Sequence, residues 1–366
     1  MTVAPPEPVM ERGPDNPSVD LLELPLEGLE SLVAELGERP YRALQIFRWL
    51  HLRGVRRIDE MTDISRPLRA RLASLAHIGG LKLSDVLEDA DGTRKMLLDS
   101  VDGHSVEAVL IPMEVGTTLC LSTQVGCNMG CEFCLTGRLR KQRNLTLGEI
   151  VDQVAHGRRI AGDESGRPEP GNIVFMGMGE PLDNYEAVVA ALRLLQHSHG
   201  ASLSSRRITV STAGLVPAID RLAAEPDLVV NLAVSLNATT NEQRERLMPV
   251  TRAYPLEALL AALRRFPVPQ RRRMTIEYVL LAGVNDSPAD ARRLVRLLHG
   301  LRAKVNLLPF NPWPGSRFAR PPDARVAEFQ ESLQERGVTA TVRQSRGRGV
   351  GAACGQLGEI PREKPE

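Results

Sequence analysis

The sequence predicts an α/β protein: an open, partial barrel of six β/α units, preceded by a small helical domain and a short antiparallel β meander. From residue 117 onward, apolar strand-like runs alternate with amphipathic helical runs, the pattern of a parallel sheet covered by helices. Six such units are too few to close an eight-stranded barrel. Upstream, Asp91-Gly92 and Asp102-Gly103 are hairpin signals between three short apolar runs. Before these, residues 19–78 carry helical apolar spacing.

The elements follow in order. Residues 1–18 are polar and proline-rich and are expected to be disordered. They lack the basic start and apolar run of a secretory signal. No apolar run reaches bilayer-spanning length, so a cytoplasmic protein without a membrane partner is expected, its thiols reduced. In the helical domain, 19–80, one helix is expected over 21–36 and a second over 41–52, the latter with Leu44, Phe47 and Leu50 on one side. Arg39, Arg42, Arg48, Arg53, Arg56 and Arg57 make this domain basic, as a solvated face or an RNA contact. The meander occupies 81–112, with strands over 81–87, 95–98 and 106–111. The core, 113–346, has candidate strands at 117–123, 172–176, 207–211, 228–235, 274–281 and 304–309, with helices such as 147–160, 185–195 and 289–298. A C-terminal segment, 347–366, closes the chain. In such a fold chemistry belongs at the C-terminal ends of the strands.

The net charge of +1 singles out no partner, but local basic stripes can still bind phosphates. Four of the five cysteines fall within fifteen residues, and an odd count in a reduced compartment is not a disulfide framework. Cys127, Cys131 and Cys134 directly follow the first candidate strand. Soft thiolates select iron–sulfur clusters or zinc. A structural zinc site wants four protein ligands, whereas a cubane on three thiolates leaves one iron open to a substrate amine and carboxylate. After the second strand comes Gly177-Met-Gly179-Glu180-Pro181. It is an ordinary glycine turn or, beside a cluster, a place where backbone approaches a ligand and a carboxylate meets an ammonium. Ser211, the triplet Ser235-Leu236-Asn237, and Asn311 close later strands. Each alone suits a cap or turn, but their recurrence at successive strand ends suggests a shared ligand. Cys120 suits a small buried residue. Cys354, in a glycine-rich stretch after Arg343, Arg346 and Arg348, is a candidate nucleophile.

Cys-x3-Cys-x2-Cys resembles the signature of the radical S-adenosylmethionine superfamily. That resemblance implies a partial (β/α)6 barrel, a [4Fe–4S] cluster on the three cysteines, and S-adenosylmethionine bound at the open iron. Gly179 and Glu180 match its motif for the methionine amino group, with Ser211, Ser235, Leu236, Asn237 and Asn311 as further cofactor contacts. Longer segments, among them Glu107-Ala-Val-Leu-Ile-Pro, Met176-Gly-Met-Gly-Glu-Pro-Leu, Asn306-Leu-Leu-Pro-Phe-Asn-Pro and Ala-Ala-Cys354-Gly-Gln-Leu, resemble the adenine carbon-2 RNA methyltransferases, from about Leu21 to Leu357. Asn237 stands where those relatives often carry histidine.

This second resemblance implies methylation of an adenosine in 23S ribosomal RNA, in some relatives also in tRNA, with two S-adenosylmethionine molecules per turnover. Cys354 would be methylated first, its methyl carbon would become a radical that adds to adenine carbon-2, and Cys120 would release the product through a transient disulfide. Glu107 would accept the proton from carbon-2; without the resemblance it reads as a solvent-facing strand residue. A one-electron reductase such as flavodoxin or ferredoxin, and a monomer, are the remaining expectations. An RNA substrate accounts for Arg138, Arg140, Lys141, Arg143, Arg206, Arg207, Arg271, Arg272, Arg273, Arg317, Arg320 and the arginines before Cys354, several of them expected near strand tops. Two other readings stay open: methylation at adenine carbon-8, the antibiotic-resistance chemistry that shares the five cysteines, and a non-catalytic iron–sulfur or zinc RNA-binding protein.

Overall fold

The computed structural model describes residues 18–162 and 170–358. The proposed disordered start up to residue 17, and the end of the C-terminal segment, lie outside the described residues. Three helices form the N-terminal unit: α1 (Leu26–Glu35), α2 (Tyr41–His51) and α3 (Arg66–Leu75). The single helix expected over 21–36 is divided. A short 3-10 turn at Leu21–Glu23 ends before Pro25, and α1 starts after it, because proline lacks a donor and favours a helix start. The buried face of α2 is Ala43, Ile46, Phe47 and Leu50. Leu44, expected on that face, is only half-buried.

The meander is β1 (Leu81–Glu88), β2 (Arg94–Ser100) and β3 (Ser105–Pro112). Gly92 and Gly103 adopt positive φ at its two turns, the conformation that hairpin connections demand. The six expected core strands are β4 (Thr117–Cys120), β5 (Asn172–Phe175), β6 (Ile208–Thr212), β7 (Asn231–Ser235), β8 (Met274–Leu280) and β9 (Ala303–Pro309). The first and fourth are shorter than their apolar runs. A strand that the sequence reading did not anticipate, β10 (Ala340–Val342), extends the edge.

All ten strands form one sheet in strict chain order from β10 back to β1. Pairing is parallel from β4 to β10 and antiparallel from β1 to β4. The meander therefore continues the barrel wall: Val109 on β3 faces Cys120 on β4. The covering helices are α4 (Leu147–Gly162), α5 (Tyr185–Gln196), α6 (Val216–Ala223), α7 (Asn241–Leu247), α8 (Leu256–Arg265), α9 (Pro288–Leu298) and α10 (Asp323–Gln334). One core runs from the N-terminal helices through the barrel, from Leu29 and Phe47 to Phe175, Ile276 and Leu307. Arg56 of the N-terminal unit pairs with the fully buried Asp152 of α4, whose carboxylate also accepts the Leu81 N–H at 3.0 Å. Among the described residues no helix is long and apolar enough to cross a membrane.

Candidate active site

The cysteine loop leaves β4 and is held by its own backbone. Cys134 N–H donates to the Cys131 carbonyl at 3.1 Å, and Cys127 N–H to the Leu139 carbonyl at 3.0 Å. The three thiols line one cavity at the C-terminal ends of the strands, together with Gly179, Glu180, Ser211, Ser235, Asn237, Asn311 and Cys354. Six strand-end positions named from sequence, with Cys354 of the C-terminal segment, thus meet in one place. Leu236 does not join them. It is fully buried in the core beneath the cavity, because alternate strand residues face opposite sides.

Burial pushes the Cys127 thiol up to about 12, and raises Cys131 and Cys134 as well. Metal binding must therefore displace a proton from each. Among the described residues no three His, Cys, Asp or Glu converge as a single-metal site requires. Three thiols on one cavity, with no fourth protein ligand beside them among the described residues, fit a cubane that leaves one iron open, whereas a structural zinc site takes four protein ligands. The cavity also fits a polar ligand. Asn311 Oδ1 is buried there without a donor, an acceptor left open in an otherwise satisfied wall. Burial lifts Glu180 to about 7, against the hydrogen bonds that it accepts from Ala213 N–H at 2.6 Å and Leu182 N–H at 3.1 Å. An ammonium beside it would restore the carboxylate.

The glycines line the cavity and also pack tightly behind it. A Cβ on Gly177 would lie 2.6 Å from the Leu121 carbonyl oxygen, and one on Gly179, at φ +102°, would lie 2.6 Å from Gln124 Cβ. They let this loop press against the root of the cysteine loop. Asn237 is also committed to the fold. It sits at φ +57°, accepts the Val279 N–H at 2.8 Å through Oδ1, and turns Nδ2 toward Met248 Sδ. Asparagine tolerates this left-handed position better than most side chains.

Behind the first cavity lies a second, of about 650 Å³. Cys120 faces only this one, while Cys354, Asn311, Met176 and Arg343 border both. All five cysteines are free thiols. The Cys354 segment is tied down on several sides. Gly355 carbonyl accepts Leu135 N–H at 2.8 Å, Asn311 Nδ2 reaches the Cys354 carbonyl at 3.4 Å, and Asp91 and Asp89 accept Gly347 and Gly349 N–H. Glu107 is 3 % exposed, so it is no solvent-facing residue. It accepts Lys95 Nζ at 3.0 Å and Gly358 N–H at 2.9 Å, and borders neither cavity.

Three groups near the thiols escaped the sequence reading. Arg343, counted there only as part of a basic run, directly follows β10. Its charge is held above the usual range by Cys354 first, then Glu277 and Cys120. Glu277 lies buried on β8, accepts Asn306 Nδ2 at 2.9 Å, and is raised by burial. A carboxylate inside the apolar run Met-Thr-Ile-Glu-Tyr-Val-Leu was the available signal. Arg244, fully buried, donates to the carbonyls of Ala213, Ser235 and Leu236 and so clamps the ends of β6 and β7.

Several cations assigned to RNA are engaged within the protein: Arg138 and Arg317 with Glu132, Lys141 with Asp183, Arg143 with Glu149. Arg206, Arg207, Arg271, Arg272 and Arg273 precede β6 and β8. They lie at the barrel floor, opposite the cysteine loop.

A half-barrel with three thiols, a glycine–glutamate loop and successive polar strand ends around one cavity defines a radical S-adenosylmethionine protein. The Radical SAM superfamily model matches residues 121–295, and the model described as ribosomal RNA large subunit methyltransferase N-terminal domain matches 19–78. The "Dual-specificity RNA methyltransferase RlmN" of Syntrophobacter fumaroxidans is 53% identical over 332 residues, 91% of this chain and 96% of its own length. That of Anaeromyxobacter dehalogenans is 53% identical over 341 residues, 92% of this chain and 91% of its own. The crystal structure of a radical SAM methyltransferase from Sphaerobacter thermophilus superposes with a TM-score of 0.89 at 48% identity, covering 93% of this chain and 99% of that one. The chain belongs to the RlmN family of dual-specificity RNA methyltransferases. As a member of the superfamily, it takes a [4Fe–4S] cluster and S-adenosylmethionine.

Proposed function

We propose that this enzyme methylates carbon-2 of an adenosine in 23S ribosomal RNA and, as its relatives' dual specificity suggests, in tRNA. The position of Cys354, on the wall shared by the two cavities, carries the reading. One cavity suits the cofactor, the other has room for a splayed-out base, and a methyl-carrying sulfur between them reaches both.

Cys127, Cys131 and Cys134 hold the cluster, and Glu180, Ser211, Ser235, Asn237 and Asn311 surround the cofactor. When bound, cluster and cofactor supply one-electron cleavage of a sulfonium, and the protein supplies placement. Adenine carbon-2 is electron-poor and offers no lone pair to a polar methyl donor, so the carbon would have to arrive as a radical, which the methyl on Cys354 would become by losing a hydrogen atom to the radical chemistry that the bound cofactor supplies. Cys354 accepts that carbon as a methyl thioether from the first of two S-adenosylmethionine molecules. Cys120, facing the base cavity, attacks the Cys354 sulfur to free the product. Glu107 would receive the carbon-2 proton; its Oε2 accepts Gly358 N–H, next in the chain to Leu357 on the wall of the base cavity. Flavodoxin or ferredoxin would supply electrons to a monomeric enzyme in the cytoplasm.

The test is anaerobic reconstitution with reductant, S-adenosylmethionine and a ribosomal RNA fragment, followed by digestion to nucleosides. The expected product is 2-methyladenosine. Finding only 8-methyladenosine overturns the regiochemistry, and zinc without iron and sulfide in protein purified without oxygen overturns the enzyme.

A further inference from the structure

Six arginines gather at the barrel floor. Arg206 and Arg207 precede β6, Arg271, Arg272 and Arg273 precede β8, and Arg302 precedes β9. All but the half-buried Arg272 are exposed. Many arginines of this protein have found a carboxylate, including Arg193 with Glu225 and Arg336 with Glu335 near this floor. Among the described residues, none of the six has a carboxylate within 4.0 Å.

The cluster is also arranged. Arg302 donates to the carbonyls of Val268, Pro269 and Arg272, at 3.1 to 3.3 Å. Arg272 donates one nitrogen to Ser205 Oγ at 2.8 Å, while its Nη1 is buried without a partner. Arg271 adopts φ +64°, a strained setting for an arginine. Arg271, Arg272, Arg273 and Arg302 wall a common recess with Gly337 and Thr339. Uncompensated like charges repel, so such a cluster awaits an anion. Planar guanidinium forks match phosphate. The recess has no aromatic anchor, which a protein partner would need.

The floor is continuous with the N-terminal unit. Arg48 of α2 lies 3.3 Å from His199, and Phe47 packs on His197. A turn after these histidines leads within a few residues to Ser205 and Arg206. β6 alone separates floor from cavity by five residues, roughly 17 Å at about 3.3 Å each.

We propose that this floor is a second RNA-binding site, which grips backbone phosphates of the substrate RNA at a distance from the modified base. The inference rests on the RNA methyltransferase reading. It assigns the floor to the RNA body and leaves the target hairpin to the cavity side.

Two in vitro RNAs test it against the cluster-loaded enzyme: the isolated stem-loop with the target adenosine, and the same stem-loop within its multi-helix ribosomal domain. Kd is measured across a potassium chloride series for wild type, R206E/R271E/R273E and the milder R206Q/R271Q/R273Q. Charge reversal is expected to weaken binding of the long RNA about 10- to 100-fold and flatten its salt slope by about two to three, near 0.7 to 0.9 per lost phosphate contact. The glutamine variant should fall between, and stem-loop affinity and turnover should not change. An unchanged long-RNA Kd and slope overturns the proposal, and so does an equal loss on the isolated stem-loop. Nucleoside digestion of the same reactions reads the methylation separately, so a patch-dependent Kd without 2-methyladenosine sinks the proposed function and leaves the floor site standing.

Discussion

Cys354 and Cys120 differ in what they face, and their variants should differ accordingly. Cys354→Ala is expected to abolish RNA methylation and remove the S-methyl mass from the Ala-Ala-Cys-Gly-Gln-Leu peptide. Cys120→Ala should instead leave enzyme covalently tied to RNA, visible as a slow band on a denaturing gel; free turnover by either variant contradicts these roles. Burial pushes the Cys120 thiol up to about 12, Cys354 raising it further and Arg343 opposing. A neutral residue at 343 removes a cation that interacts with both sulfurs. Arg343→Gln should slow Cys354 methylation, because it removes a buried cation from the wall that Cys354 shares with both cavities, and Arg343→Lys should recover part of the rate. Lys95 is the matching partner of Glu107. Lys95→Met leaves a buried carboxylate without its counter-charge, which typically costs about 3 to 5 kcal/mol, measurable as a lowered denaturation midpoint.

At the level of elements, the loop after β5 and the helix α2 show how packing uses residues that look functional or incidental. Gly179→Ala places a methyl where Gln124 already lies, in a backbone conformation that alanine disfavours. It should cost stability and iron content together; a variant with full iron and an unaltered melting point counts against this packing role. His51 packs on Phe47 at the α2–α5 seam, with a buried, unpartnered Nε2. Burial, then Arg158 and His197, lowers it to about 3. The unfolded chain binds this proton near pH 6.5 and the folded chain does not. Stability from this group is therefore full above pH 6.5 and is lost as pH falls toward 3. At pH 5 the loss is about 2 kcal/mol. His51→Gln should flatten that limb in denaturant titrations at pH 7 and pH 5, and an unchanged difference would show that the acid sensitivity lies elsewhere.

Across the whole molecule, the C-terminal segment ties the sheet, the meander and the cysteine loop into one unit. Gly355 and Leu357 carbonyls take donors from Leu135 and Thr136, and Asp89, Asp91 and Glu107 take backbone donors of the same segment. Removing iron leaves buried protonated thiols in a loop that this segment braces. Hydrogen exchange should then rise in both 127–139 and 353–357; a rise confined to the cysteine loop would show that they are not coupled.

What the sequence determined by itself was what is local or periodic. The thiol spacing, the hairpin dipeptides and the alternation of apolar periods are written in neighbouring residues, and they placed the cavity residues at strand ends because a parallel sheet aligns those ends. The tertiary structure decided what depends on distant partners. The glycines meet Leu121 and Gln124, the Asn237 amide meets Val279, and Glu107 meets Lys95 and Gly358. Arg343 comes between two thiols more than two hundred positions apart in the chain. The arginines before β6, β8 and β9 look alike in sequence to those after the cysteine loop, yet lie at the opposite end of the barrel. Strand direction, which no single charged run reveals, separates the two groups.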